Sequence, residues 1–292
     1  MNKVNSIRLL FIRDLSFFLT IPAFIWQALF LYLPLCLVIV VSMICRSEQG
    51  FGGFTLAHYA ELIDPAYGLI LARSFVLATV NAVVCVVLGY PVAYFLAFYV
   101  RRWKNQFLFF LILPFWISFL VQVYAWFFVL EKNGLLNSLL IKMGIITEPL
   151  ALLYTPMAIY FVMLYCYLPF AVMPIYSVLE KFDKRLFEAS ADLGASQWQT
   201  LSRVTLPLSV EGIRTAFFLV FVPSFGEFVV PTLLGGGKQM YVGSLISHQF
   251  LLARNFNVGA AFTCASGLVL IAAAIVWYLF FKRFFAGSRR MQ

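Results

Sequence analysis

Glu188-Ala189-Ser190-Ala191-Asp192-Leu193-Gly194, followed downstream by Val204-Thr205-Leu206-Pro207, is a polar segment set between long apolar runs. On a helix, Phe182, Leu186, Ala189 and Leu193 recur at spacings of four, three and four, which makes one apolar stripe. Lys181, Arg185, Glu188 and Asp192 make the opposing face. Glu188 and Asp192, one turn apart, repel mildly in an isolated helix, so a basic surface on another molecule would suit them. Ala189, Ser190 and Ala191 are small and permit close approach. Gly194 can take positive φ and end the helix. A second short helix is expected from Ser196, as N-cap, to Val204, with Leu206-Pro207 turning the chain back. An amphipathic helix lying on a bilayer would share the stripe, but would need neither the small residues, the acidic pair nor the Leu-Pro step.

The surrounding composition sets the class. The chain has 292 residues, of which 63% are hydrophobic and 11% charged. Soluble domains carry about 25% charged residues, so this is a polytopic membrane protein. The formal charge of +9 does not point to nucleic acid, because the basic residues flank apolar runs. Cys36, Cys45, Cys85, Cys166 and Cys264 lie in or at the ends of those runs, as small core residues do. His58 and His248 fall in separate expected loops and suggest no metal site. The basic N-terminus precedes a long apolar run without an A-x-A site, and reads as a retained anchor.

A membrane helix needs about 20 apolar residues. Six runs qualify: 22–44, 75–99, 107–130, 150–179, 215–234 and 258–281. They are continuous and do not alternate, so an all-α protein is expected, with one permease-sized domain over 1–292 and a polar loop at 180–207. Pro156, Pro169 and Pro174 should kink or interrupt the fourth run, and Pro223 and Pro231 the fifth.

Charge gives an orientation. Lys3, Arg8, Arg13, Arg101, Arg102, Lys104, Lys181, Lys184, Arg185, Arg203, Lys282, Arg283, Arg289 and Arg290 fall on one side. Arg46, Arg73, Lys132, Lys142, Lys238 and Arg254 fall on the other, with Arg214 at a span entrance. Fourteen against six places both termini and the Glu188 loop in the cytoplasm.

Glu227 is the one acid well inside an expected span. An ionised group there is costly unless it faces water or a partner. It should therefore face a cavity, or brace a helix break by accepting backbone N–H bonds. No nucleophile–base or metal constellation appears, so no catalytic role is expected. Gly235-Gly236-Gly237-Lys238-Gln239 lacks the upstream glycine and the hydroxyl of a P-loop, so ATP is not expected to bind this chain.

Together these segments resemble the permeases of bacterial ABC importers, in which an E-A-A sequence is followed at fixed spacing by G, then by an apolar residue, x and L-P. Ser118–Trp126, Gly134–Asn137, Leu168-Pro169-Phe170 with Pro174, and Gly226–Pro231 with Leu234-Gly235-Gly236 resemble the spermidine/putrescine branch. The likeness covers most of the chain from the second span onward. Ser190 stands where that motif has its second alanine.

The resemblance implies a type I fold of six transmembrane helices, in the bacterial inner membrane. It implies a second, homologous permease completing the pore and a cytoplasmic ATPase dimer carrying ATP and Mg. It also implies a periplasmic substrate-binding protein. Glu188, Ala189, Ser190, Asp192, Gly194, Leu206 and Pro207 would form the ATPase-coupling loop. For a polyamine, Glu227 with Trp116, Tyr124, Trp126, Tyr165 and Tyr167 would line the path, unless these aromatics are interfacial anchors. Glu131 would be available to the binding protein. The same machine could carry ferric iron, sulfate, molybdate or thiamine. A tetrahedral anion would call for donors and helix N-termini and not for a carboxylate. An ion-coupled secondary transporter would show ionisable networks or inverted repeats, which are not seen here.

Overall fold

The computed structural model describes residues 21–47, 50–100, 102–183 and 185–284. Lys3, Arg8, Arg13, Arg101, Lys184, Arg289 and Arg290, used above for orientation, lie outside them. Two compact units are present. The smaller takes in the chain up to Ile63 together with Gln249–Ala265, and the larger takes in Asp64–His248 with the residues from Ser266 onward.

The smaller unit opens with α1 (Ile21–Met43), which is apolar throughout and of which only Ser42 is buried. A hairpin of β1 (Ile44–Ser47) and β2 (Gly50–Phe54) follows, then α2 (Ala57–Glu61). Ser42 Oγ meets the Tyr59 hydroxyl at 2.7 Å, tying α1 to α2. Asn257, in the first turn of α13 (Phe256–Phe284), donates its amide to the carbonyls of Val41 and Ile44. Those carbonyls lie at the end of α1, where no further turn of helix can use them.

The larger unit is built on three long helices. The first, α3 (Pro65–Phe98), starts on a strong signal: the Asp64 side chain accepts from the Ala66 amide at 2.8 Å, and Pro65 takes the first helical position. This sets its start well before residue 75. Next come α4 (Lys104–Ile112), closed by a 3₁₀ turn at Leu113–Trp116, and α5 (Phe119–Leu130) and α6 (Leu135–Lys142). The second long helix is α7 (Pro156–Leu179). A polar arm, α8 (Arg185–Asp192) and α9 (Gln197–Leu208), leads to the third, α10 (Val210–Phe225). Then α11 (Val229–Gly235) and α12 (Val242–Leu252) lead to α13.

Among the described residues, four helices are long and apolar enough to cross a membrane, and up to six if two bent pairs each count as one span. The third apolar run, expected as one helix over 107–130, bends by 92° between the turn at Trp116 and Phe119. Gln122 makes this tolerable. Its amide donates to the Ile117 carbonyl at the bend and to that of Pro114, which also accepts the Ile117 amide closing the 3₁₀ turn. The fifth run, expected over 215–234, stops at Phe225 and resumes at Val229. The fourth is different: α7 runs through Pro169 and Pro174 uninterrupted, and Pro156 sits at its N-terminus, where a missing N–H costs nothing.

Small residues let the three long helices approach closely. Gly89 of α3 faces Ala171 and Val172, where an added Cβ would stand 3.3 Å from both side chains. Gly212 of α10 lies against α7 backbone, 3.0 Å from the Pro174 carbonyl for such a Cβ. Three polar links add register along α3. Ser74 Oγ accepts from the Val242 amide at 2.8 Å, Asn81 Nδ2 donates to Ser224 Oγ at 2.8 Å, and the Tyr90 hydroxyl meets Ser209 Oγ at 3.1 Å. In the first turn of α6, the buried Asn137 ties the flanking loops together: its amide group donates to the carbonyls of Glu131, Lys132 and Leu150 and accepts from the Leu150 amide.

Candidate functional site: a polar arm and an acid-floored cavity

The arm follows the sequence closely in its first half. Helix α8 ends at Gly194, whose φ of +76° is the left-handed value that glycine adopts without strain. The Gly194 amide donates to the Ala191 carbonyl at 2.9 Å, and the Ala195 amide to that of Ser190 at 3.1 Å. Ser196 then caps α9 with a full capping box: the Gln199 amide donates to Ser196 Oγ at 3.3 Å, and the Ser196 amide to Gln199 Oε1 at 2.9 Å.

The second half differs. The helix expected to end at Val204 continues to Leu208. Leu206-Pro207 sits in its last turn and does not make the chain reversal. A wide turn at Leu201–Thr205, with the Leu206 amide donating to the Leu201 carbonyl, accommodates the proline. The chain changes direction instead at Ser209, where α9 and α10 meet at a 66° bend.

Of α8, Ser190 is buried, and its hydroxyl meets Thr200 Oγ1 at 2.7 Å. The hydroxyl that replaces a methyl here therefore fastens α8 to α9. Phe187 packs edge-on against Phe98 of α3 at 4.9 Å. The stripe read from the sequence is not the packed face. Leu186, Ala189 and Leu193 are exposed, Leu193 at 89%, and so are Glu188 and Asp192. Trp198 on α9 is exposed as well. An unburied apolar stripe beside an acidic pair on a polar arm can serve as a contact surface for a separate protein.

At the arm's root, Lys104 Nζ donates to Glu180 Oε1 at 2.6 Å and lies 5.2 Å from the centre of the Tyr176 ring. The Lys104 ammonium, bonded to it, holds the Glu180 carboxyl below its ordinary value.

A cavity of about 910 Å³ opens between the 3₁₀ turn after α4, the helices α5, α7 and α10, and Tyr278 of α13. Its walls carry Phe115, Phe119, Tyr167, Phe170 and Phe218, and its polar groups include Gln122, Glu227 and Arg214. Glu227 is 9% exposed and sits in the break between α10 and α11. One oxygen, Oε1, accepts from the Val229 amide at 2.9 Å and more distantly from Val230, so it caps α11. The other, Oε2, accepts from the buried Tyr167 hydroxyl at 2.7 Å. Both sequence readings of Glu227 therefore hold: it faces a cavity, and it braces a break.

Of the aromatics expected along the path, Tyr167 alone lines this cavity. Tyr165 lies two residues away on the same helix, about 200° round its axis, and turns outward to Trp126 at 5.2 Å. Trp126 also packs on Phe161 at 5.0 Å. Trp116 is exposed and packs on Phe109, and Tyr124 is exposed. Four cavity groups have no role in the sequence reading. Phe115 and Phe170, in edge-on contact at 4.5 Å, look like ordinary span residues. Gln122 could have been noticed as a lone amide in an apolar run; Arg214 is placed there at a span entrance and given no further role. Arg214 lies over the Tyr278 ring at 5.4 Å.

Comparison with known proteins agrees with this architecture. Residues 86–290 match the family model of the binding-protein-dependent transport system inner membrane component. The spermidine/putrescine transport system permease protein PotB of Escherichia coli (strain K12) is 40% identical over 252 residues, which is 84% of this chain and 92% of that protein. PotB of Haemophilus influenzae is 36% identical over 87% of this chain and 90% of that protein. Among solved structures, a bacterial ABC transporter that imports the acidic polysaccharide alginate superposes with a TM-score of 0.73 at 18% identity, covering 96% of this chain and 97% of that one. The three long helices, the broken fifth span and the polar arm are thus those of a multi-pass inner-membrane transport subunit. The chain belongs to the inner-membrane components of binding-protein-dependent transport systems, in the branch that holds the spermidine/putrescine permeases.

Proposed function

We propose that this chain is one permease subunit of an ATP-driven importer of polyamines, and that it takes no catalytic part itself. The arm α8–α9 and both termini face the cytoplasm, in accord with the charge asymmetry along the chain. An ATPase, one of a pair that binds ATP and Mg, docks on the exposed Leu186, Ala189 and Leu193, with Glu188 and Asp192 meeting basic groups. A second, homologous permease completes the pore. A periplasmic protein delivers the solute, a reading supported by the structure of the alginate transporter in complex with a periplasmic protein bound to an alginate pentasaccharide.

The observation that carries the polyamine reading is Glu227, a carboxylate in an aromatic-walled cavity. A polycationic amine is attracted by the charge and can lie over the ring faces. The identity to permeases named for spermidine and putrescine supports the same solute. A bound ATPase would draw the α9–α10 elbow at Ser209 with it, and α10 carries the cavity wall.

The test is purification of the tagged chain in mild detergent, as wild type and with Glu188→Lys and Asp192→Lys combined. The subunits retained are identified, and spermidine uptake is measured in cells. The expected result is an ATPase retained by the wild type and lost from the variant, with uptake lost in parallel. Retention of no ATPase by either would defeat the importer reading. Retention without any polyamine uptake would defeat the solute.

A further inference from the structure

Helix α10 gives the acid-floored cavity one continuous wall. Arg214 and Thr215, then Phe218 and Leu219, then Val222 and Pro223 line it, in pairs four residues apart. That spacing returns once per turn, so the pairs share one face of the helix. Arg214 lies in the second turn after the Ser209 elbow, at the end that meets the arm. From there to Phe225, where α10 stops two residues short of Glu227, is about 16 Å at a rise of 1.5 Å per residue. Among the described residues of the lining, Glu227 and Arg214 are the charged groups, and they stand at opposite ends of this wall.

Arg214 is half-buried and takes part in neither ion pair of the described residues. Its guanidinium is held over the Tyr278 ring at 5.4 Å, an arrangement that steadies the cation without cancelling its charge. Glu211, one turn before it, is exposed and lies outside the lining. An ionised group in an apolar wall is costly, and packing alone gives no reason for one. Unlike lysine, an arginine does not shed its proton where water is scarce. Its charge therefore acts on every ion that enters or leaves by that end.

We propose that Arg214 is a charge barrier at the arm end of the cavity: it repels cations, keeps a cationic solute at the Glu227 end and hinders its return from the arm side. The part that concerns the solute rests on the polyamine reading above; the barrier itself does not. An ammonium brought to about 4 Å from the guanidinium is disfavoured roughly five- to a thousandfold, the range from watery to half-dry surroundings.

The test places a reporter thiol beside Arg214. Thr215→Cys is a near-isosteric change at an exposed lining position. The full-length chain, with whatever subunits it retains in mild detergent, is treated with an anionic (sulfonatoethyl) or a cationic (trimethylammonioethyl) methanethiosulfonate. Modification at position 215 is timed by peptide mass spectrometry. A unit charge about 10 Å away in water alters each rate about twofold, in opposite senses, so the anionic-to-cationic ratio should exceed that of 2-mercaptoethanol by about fourfold. Arg214→Gln should remove that excess, and Arg214→Lys should keep it. A ratio no higher than that of 2-mercaptoethanol, with Arg214 in place, would overturn the barrier. So would an excess that survives Arg214→Gln, or one lost equally in Arg214→Lys, which would trace it to packing on Tyr278. Val222→Cys, further along the same wall, reports the solute. Spermidine should protect it from modification, and about fivefold less spermidine should suffice once Arg214→Gln is added. An equal requirement with and without Arg214→Gln would overturn the action on the solute. Protection in neither protein would defeat the polyamine reading, while the ratio at position 215 still decides the barrier.

Discussion

The Tyr167 hydroxyl donates to Glu227 Oε2 at 2.7 Å, and through that carboxylate α7 holds the start of α11. Glu227 thus has a structural role beside the electrostatic one proposed for it, and substitution can separate them. Glu227→Gln keeps an oxygen for the Val229 amide but removes the charge. A cation about 4 Å away would lose on the order of 1–4 kcal/mol of attraction. Spermidine uptake should fall about tenfold or more, while the thermal midpoint of the purified protein stays near that of the wild type. Tyr167→Phe should do the reverse to stability, lowering it by about 1.5–3 kcal/mol, the worth of a hydrogen bond to a charged group. Unchanged uptake in Glu227→Gln would remove the carboxylate from the path.

Gly194 adopts φ +76°, with open space where a Cβ would stand. Its substitution by alanine therefore tests backbone conformation alone, while proline also removes the amide bonded to Ala191. Gly194→Ala should cost about 1–2 kcal/mol locally and lower uptake moderately. Gly194→Pro fixes φ near −65° and should abolish uptake while the protein still reaches the membrane. Both are checked by immunoblot of membrane fractions beside uptake. Normal uptake in the proline variant would sink the coupling role of this turn.

Ser190→Ala would restore the alanine of the related motif and delete the 2.7 Å contact with Thr200. The orphaned threonine lies at the edge of the arm and can turn to solvent. A loss of about 0.5–1.5 kcal/mol is expected, read as faster proteolysis of the α8–α9 arm, with uptake retained. Loss of ATPase co-purification from this variant would mean that Ser190 itself touches the partner.

Gly212 faces backbone, not a flexible side chain. A Cβ there would stand 3.0 Å from the Pro174 carbonyl and 3.1 Å from Ile175 Cα. Gly212→Ala should force α10 from α7 and destabilise the protein by about 1–3 kcal/mol, seen as a lower midpoint for thermal aggregation. Gly226→Ala, where nothing lies within 4 Å, is the control and should be mild.

Glu180 titrates below its ordinary value of 4.5, first of all because Lys104 donates to its carboxylate. A depressed acid stabilises the fold fully above that ordinary value, and the contribution is lost as pH falls through the folded value. The pair is partly exposed, so its worth is at most about 1 kcal/mol. Lys104→Met should therefore lower the thermal midpoint slightly at pH 7 and not at all in strong acid. An equal loss at both would mean that Lys104 acts through packing on Tyr176.

The sequence shows the arm well because its signals are local. A glycine stop, a serine cap and a glutamine three residues later act within one turn, and the structure keeps all of them. Glu227 is visible for another reason, since a lone acid in an apolar run must have partners. The aromatic wall is not visible. Tyr165 and Tyr167 are the same residue type two positions apart, and only the rotation of α7 about its axis decides which faces the cavity. The bend after Trp116 is hidden too, because its remedy, Gln122, lies beyond it in sequence. Leu206-Pro207 reads as a turn by local rules, yet the wide turn ahead of it lets the helix run on.

Ser74, Asn81 and Tyr90 fasten α3 to three successive heights of the chain from Ser209 to Val242. The upper two anchor points on α10 and its root, Ser209 and Ser224, are about 22 Å apart along the axis. A body pinned at both ends of that length cannot absorb a push by bending in the middle. Movement delivered at the Ser209 elbow must emerge beside Glu227 as a tilt of the whole assembly, and sideways slack at the cavity is traded for stroke.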